Sequence, residues 1–183
     1  MRKLIFAINI TIDGCFDHTH GIADAELHDY FTNLMHRAGL LLYGRKTYEL
    51  MVPFWPDVAR KQNMARSENE FAQAFEIVDK VVVSRTLESV EGNTRIIRDN
   101  LKAEILKLKQ EAGKDIFTGG VDLPSQLIEL GLVDEYYFVV HPVLAGAGRR
   151  LFEGAGLPEK LKLKLVDSKV LNSGCVALHC LKQ

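Results

Sequence analysis

The stretch Asp115-Ile116-Phe117-Thr118-Gly119-Gly120-Val121-Asp122-Leu123-Pro124-Ser125 decides how this chain is read. Asp115 to Thr118 has the character of a short buried strand, and Leu123 to Leu130 carries helical spacing. Two glycines stand at the joint. Backbone without Cβ atoms lets a ligand approach closely. The start of the helix also presents unpaired N–H groups, which favour phosphate. On the dipeptide alone a plain tight turn is the simpler account. Two further strand-to-helix joints with phosphate-friendly residues shift the reading toward a ligand.

Working outward, Lys3 to Thr11 reads as a central strand closed by the turn Asp13-Gly14, followed by a loop from Cys15 to Ile22. A helix is predicted from Asp24 to Ala38, with Leu27, Tyr30, Phe31, Leu34, Met35 and Ala38 on one stripe. Asp24 caps it and Gly39 stops it. Leu40 to Tyr43 is the second strand, and Gly44-Arg45-Lys46-Thr47 opens a helix to Met51. Pro53-Phe54-Trp55-Pro56 begins a proline-bounded aromatic loop. A helix over Ala65 to Ile77 leads into the strand Lys80 to Ser84, with a short extended piece near Arg95 to Ile97. Asp99 caps a helix striped by Leu101, Ile105, Leu108 and Ala112 and ended by Gly113. Strands alternating with helices across short connections argue for a largely parallel sheet covered on both faces.

The C-terminal part differs. Glu135 to Leu144 reads as a long strand, and Leu161, Leu163 and Leu165 alternate with Lys160, Lys162 and Lys164 as a strand with one wet face. Cys175 to Leu181 completes the sheet in mixed or antiparallel fashion. No linker or repeat interrupts residues 1–183, so one domain is expected.

Hydrophobic residues make up 47% of the chain and charged residues 26%, which excludes a disordered protein. A net charge of −1 supplies no field for nucleic acid or an anionic membrane. Cys15, Cys175 and Cys180 are odd in number and widely spaced, which suits free thiols in a reducing cytoplasm. The apolar start of the chain breaks at Asn9, Thr11 and Asp13, so it reads as neither signal peptide nor membrane span. His18 and His20 read as two solvated loop histidines, and no metal is expected there.

In an open parallel sheet, ligands bind outside the carboxyl ends of the strands. Those ends carry Asp13-Gly14, then Gly44-Arg45-Lys46-Thr47, then Ser84-Arg85, then Thr118-Gly119-Gly120. Taken jointly they suit an extended, multiply charged nucleotide. Arg45 and Arg85 together favour a cofactor with an additional phosphate, hence NADP over NAD.

The same residues carry a resemblance. Thr11-Ile12-Asp13-Gly14, Gly44-Arg45-Lys46-Thr47-Tyr48-Glu49, Val82-Val83-Ser84-Arg85 and Thr118-Gly119-Gly120 stand in the order seen in dihydrofolate reductase-like proteins. Val133-Asp134-Glu135, His141-Pro142-Val143-Leu144-Ala145-Gly146-Ala147-Gly148 and Leu151-Phe152 resemble one branch. That branch is the reductase domain of the bifunctional riboflavin-biosynthesis deaminase-reductase and its stand-alone relatives. The resemblance covers roughly residues 2–181. It implies a three-layer α/β fold, with a mixed, mostly parallel sheet of about eight strands and helices on both faces. It also implies NADPH as hydride donor, a small pyrimidine- or pterin-like substrate, and a homodimer.

By motif, Gly44, Arg45, Lys46 and Thr47 would hold cofactor phosphates, and Ser84 and Arg85 would meet the adenosine ribose and its 2′-phosphate. Thr118, Gly119, Gly120 and Val121 would wrap the pyrophosphate, with a cis Gly119–Gly120 peptide as dihydrofolate reductases have. Asp13 matches the Asp-Gly of the riboflavin branch and would lie by the nicotinamide; an ordinary turn residue is the other reading. Glu26 falls near the pterin-holding carboxylate of dihydrofolate reductases, where a buried acid helps protonate the acceptor nitrogen; a first-turn acid serving the helix dipole is the other reading. Phe54 and Trp55 would roof the substrate or simply lid the core. The chain departs from the riboflavin branch in two places: Cys15 stands where a basic residue follows Asp-Gly, and Arg45-Lys46-Thr47-Tyr48-Glu49 replaces a Gly-x-Gly-Thr turn. A nucleotide-binding module without catalysis is the alternative to an enzyme.

Overall fold

A computed structural model describes residues 1–152 and 160–183. It is an α/β structure built on a mixed, mostly parallel sheet of eight strands with helices. The chain divides into two compact units, one of residues 1–2 with 23–117 and one of residues 3–22 with 118–183.

The first unit holds strands β2 (Ala38–Gly44), β3 (Lys80–Val83), β4 (Thr94–Ile97) and all but the last residue of β5 (Asp115–Thr118), in the spatial order β4-β3-β2-β5. Leu40, Leu41 and Leu42, and then Val81 and Val82, are buried in succession. Buried neighbours of opposite parity mean that both faces of these strands are covered, and at about 1.5–3 kcal/mol per large side chain this is where the unit's stability lies. The helices are α1 (Ala25–Met35), α2 (Arg45–Met51), α3 (Phe54–Lys61), α4 (Arg66–Ile77) and α5 (Leu101–Gln110). The Asp24 carboxylate caps α1 by accepting the Leu27 N–H at 2.7 Å.

Three expectations are corrected here. Gly39 does not stop α1, which ends at Met35; it lies inside β2, where a Cβ would stand 3.0 Å from Lys114 backbone and side-chain atoms. The aromatic loop is the helix α3, because Pro53 and Pro56 fall at its N-cap and first turn, where a missing N–H costs nothing. Asn100, at φ 54°, rather than Asp99 precedes α5, and it makes no side-chain cap.

The second unit holds β1 (Leu4–Thr11), β6 (Glu135–His141), β7 (Leu163–Val170) and β8 (Val176–Lys182), in the order β1-β6-β8-β7, with α6 (Asp122–Glu129). β1 and β6 run parallel, from Ile5 opposite Glu135 to Thr11 opposite His141, while β8 is antiparallel to both β6 and β7. Leu4, Ile5 and Phe6 are fully buried, as befits a central strand. Phe6 meets Tyr136 and Phe138 edge-on, with centroids 6.4 and 6.0 Å away. β6 stops at His141, short of the predicted Leu144, because Pro142 has no N–H for a ladder. β7 is corrected as well: it is an edge strand, and Leu165 and Val170 are exposed rather than packed as one dry face.

Candidate functional site

In the first unit, β2 and β3 are parallel and in register from Leu41 opposite Lys80 to Gly44 opposite Val83. Their carboxyl ends therefore coincide, and the chain leaves them as Arg45-Lys46-Thr47 and Ser84-Arg85. Those two predicted groups are brought together. Arg45 and Lys46 are exposed on the first turn of α2, whose N-cap Gly44 provides no side-chain acceptor. Among the described residues Arg45 makes a single, long ion pair, with Glu49 at 3.8 Å. Arg85 is exposed, and its guanidinium pairs with no acidic side chain among the described residues. Ser84 is buried, and its Oγ accepts the N–H groups of Leu87 at 3.0 Å and Thr86 at 3.3 Å. Its hydroxyl thus shapes the turn that displays Arg85, and its proton alone remains to donate. Tyr48 Oη accepts the Glu91 N–H at 3.1 Å, which ties α2 to the loop after β3.

Glu26 sits in the first turn of α1, half-buried, away from these strand ends in sequence and on a helix that packs on α4. Trp55 packs edge-on against Phe71 of α4 at 4.6 Å and against Phe54 at 4.9 Å, and His28 of α1 stands 6.3 Å from it. Trp55 is therefore seated on the core, whereas Phe54 remains half-exposed.

In the second unit the turn after β1 is locked against the segment after β6. Asp13 Oδ1 accepts the Thr11 hydroxyl at 2.6 Å and the Ala145 N–H at 3.1 Å, and Oδ2 accepts the Gly146 N–H at 2.9 Å. Those three donors pull its carboxyl down to about 2. A carboxylate so engaged is held ionised near neutrality, and its three bonds fix the shape of the turn. Arg150 donates from Nε to the Asp13 carbonyl at 3.0 Å and bridges backbone with Cys15. A guanidinium thus stands beside the turn whose own sequence has Cys15 in place of a cation.

The Gly119–Gly120 joint follows β5. Its peptide is trans, which corrects the expected cis bond, and Gly120 takes φ +81°, a region that favours glycine. Val121 caps α6 without a side-chain bond, and the Ser125 Oγ one turn on is buried with no hydrogen-bond partner among the described residues. Uncapped first-turn N–H groups and an orphaned hydroxyl fit a phosphate-bearing ligand. The acid in that turn, Asp122, is offset by Arg149 at 2.9 Å, and the same guanidinium lies over the Phe16 ring at 5.3 Å. Arg149 therefore links the glycine joint to the loop that follows Asp13.

Arg149, Arg150, Asn9 and the buried His141 are not among the expected site residues, although His141 opens a segment that carries the resemblance. The two arginines follow Gly146-x-Gly148, but nothing in the spacing says what they touch, since their partners lie 27 and 137 positions away.

The RibD C-terminal domain model matches residues 2–177. The uncharacterized protein YyaP of Bacillus subtilis is 33% identical over 97% of this chain and 93% of its own. Among solved structures, a provisionally assigned riboflavin biosynthesis protein from Shewanella shares the fold, with a TM-score of 0.75 at 20% identity over 100% of this chain and 99% of that one. A diaminohydroxyphosphoribosylaminopyrimidine deaminase/5-amino-6-(5-phosphoribosylamino)uracil reductase from Thermotoga maritima gives 0.69 at 14% identity, over 100% of this chain and 57% of that longer chain.

Proposed function

The chain belongs to the RibD C-terminal domain family, a reductase-related family, and on that footing we propose that it is an NADPH-dependent reductase of a small pyrimidine- or pterin-like heterocycle. The observation that carries the reading is the register of β2 and β3, which sets Arg45, Lys46 and Thr47 beside Ser84 and Arg85 at coincident carboxyl ends. Two arginines, a lysine and two hydroxyls there suit an adenosine 2′-phosphate and its neighbours. Thr118, Gly119, Gly120 and Val121, with the buried Ser125 hydroxyl behind them, suit a pyrophosphate.

When bound, NADPH supplies the hydride. The protein's part is to orient, to exclude water and to manage one proton. Asp13 holds the turn by β1 in shape, and Glu26 is the remaining acid for protonating the acceptor nitrogen. Phe54, exposed on α3, offers a flat apolar contact to a ring. The Thermotoga protein's name includes reduction of a phosphoribosylaminouracil, and a uracil-like ring is the first substrate class to try. The proposal includes a homodimer working in the cytoplasm; among the described residues no helix is long and apolar enough to cross a membrane.

A second reading, a cofactor-binding module without catalysis, draws on Asp13, whose carboxylate is already committed to three donors. The two are separated by NADPH-induced thermal shift followed by NADPH consumption over a panel of uracils and pterins. A shift with turnover supports the reductase, a shift without any turnover supports the silent module, and no shift sinks both.

A further inference from the structure

A buried hydrogen-bond chain in the second unit ends on a side chain to which no role has been given. His141, at the end of β6, is 1% exposed. Its Nδ1 receives the Ile22 backbone N–H at 3.0 Å, and its Nε2 lies 3.1 Å from Asn9 Oδ1 on β1. A backbone N–H can only donate, so Nδ1 carries the lone pair and the proton resides on Nε2. The Nε2–H then fixes the Asn9 amide with its oxygen toward the imidazole. Its NH2 group, with two donors, is turned away.

That NH2 meets no acceptor among the described residues, and Asn9 is only half-buried. On the same face of β1, Ala7 is small and the Thr11 hydroxyl is spent on Asp13 and on the Cys15 N–H. Asn9 is thus the polar group with donors to spare on this face of a central strand.

Cys175 adds a check on the assignment. Its Sγ lies 3.3 Å from His141 Nδ1 and is fully buried. Cys, His and Asn together are the members of a thiol hydrolase set, but an imidazolium made by taking the thiol proton would turn Nδ1–H against the Ile22 N–H. The thiol has neither access nor a free base, so the cluster is an orienting device.

We infer that Asn9 is a ligand-recognition residue, presenting its amide NH2 to a carbonyl oxygen or unprotonated ring nitrogen of a flat heterocycle, with His141 as the positioning residue that sets its orientation. This deepens the reductase reading and rests on it. The test is titration of the 15N-labelled full chain, with NADPH present, by 5,6-diaminouracil and by 7,8-dihydropterin. The Asn9 NH2 signals are assigned by their absence in Asn9→Asp, which keeps the shape and replaces the donors with an acceptor. The expected result is that at least one probe shifts these signals and that Asn9→Asp weakens that probe by about tenfold or more, with the NADPH-induced thermal shift unchanged. Asn9→Leu should weaken the probe similarly. Asn9 signals unmoved by both probes overturn the inference, whether or not the probes perturb other residues. Loss of the NADPH shift in the unmutated protein would instead overturn the reductase reading itself.

Discussion

Replacing Lys80 by methionine tests how the first unit holds the strand that displays Arg85. Lys80 is 2% exposed at the amino end of β3. Its ammonium faces the Val78 carbonyl at 2.7 Å, the Phe75 carbonyl at 3.0 Å, the Glu76 carbonyl at 3.3 Å and Asn93 Oδ1 at 3.3 Å. It also lies 4.7 Å from the centroid of the Phe75 ring. These carbonyls close the C-terminal turn of α4, where a cation is favoured by the helix dipole. Burial opposes the charge and pushes the Lys80 pKa down, so the net gain is smaller than the gross one. Three ammonium protons in charge-assisted bonds are worth about 1.5–3 kcal/mol each before that offset. Asn93 Nδ2, at 2.9 Å from the Val78 oxygen, would still serve that carbonyl in the variant. Methionine keeps the volume of the stem, so no cavity adds to the loss. The expected destabilisation is about 2–4 kcal/mol, a fall in Tm of roughly 6–12 °C for a chain of this size. Urea denaturation followed by circular dichroism reads it directly, and NADPH affinity well below the transition should be unchanged. A loss under about 1 kcal/mol would refute the reasoning, because burial would then have cancelled the bonds.

Arg85→Ala should weaken NADPH by about 10- to 100-fold, the worth of a charge-assisted contact, and leave NADH nearly unaffected in the same calorimetric titration; equal weakening of both removes Arg85 from the 2′-phosphate. Gly120→Val forces a β-branched residue to φ +81°, and binding of either cofactor should be lost while the circular dichroism spectrum is kept; retained affinity would mean that the joint is not the pyrophosphate contact. Glu135 is 3% exposed: burial alone would raise its carboxyl, but the Lys3 ammonium and His179, at 3.0 Å, outweigh that and hold it below the usual carboxylate range. Its contribution is therefore present above the unfolded-state value and lost as pH falls through the folded one. Glu135→Gln should flatten the acid limb of the stability–pH curve measured by urea titration, and an unchanged limb would remove Glu135 from that role.

Local pattern made most of the fold readable. Apolar runs such as Leu4–Phe6 and Leu40–Leu42, interleaved with capped helices, admit few arrangements other than a parallel sheet covered on both faces, and the order of strand-end residues pointed to a nucleotide. The misreadings came where one residue type serves two ends. Gly39 reads as a helix stop because glycine ends helices, yet its place is a close approach to Lys114 that no local pattern records. The prolines around Phe54 and Trp55 read as breakers, but at a helix start proline is tolerated. The Leu/Lys alternation before residue 166 promises one dry face, whereas β7 lies at the sheet edge with Leu165, Val166 and Val170 exposed.

The amino-acid sequence by itself determined the α/β class, the order of the strands along the chain and the residue types at their carboxyl ends, because hydrophobic periodicity and turn chemistry act over a few residues. Tertiary structure alone decided what those residues touch: that Asp13 ties its turn to the segment after β6, that Arg149 neutralises Asp122, and that His141 turns Asn9 outward. Each of those roles is set by a donor or a charge brought from 27 to 133 positions away, and a hydrogen bond exists only where folding carries both of its ends to within about 3 Å.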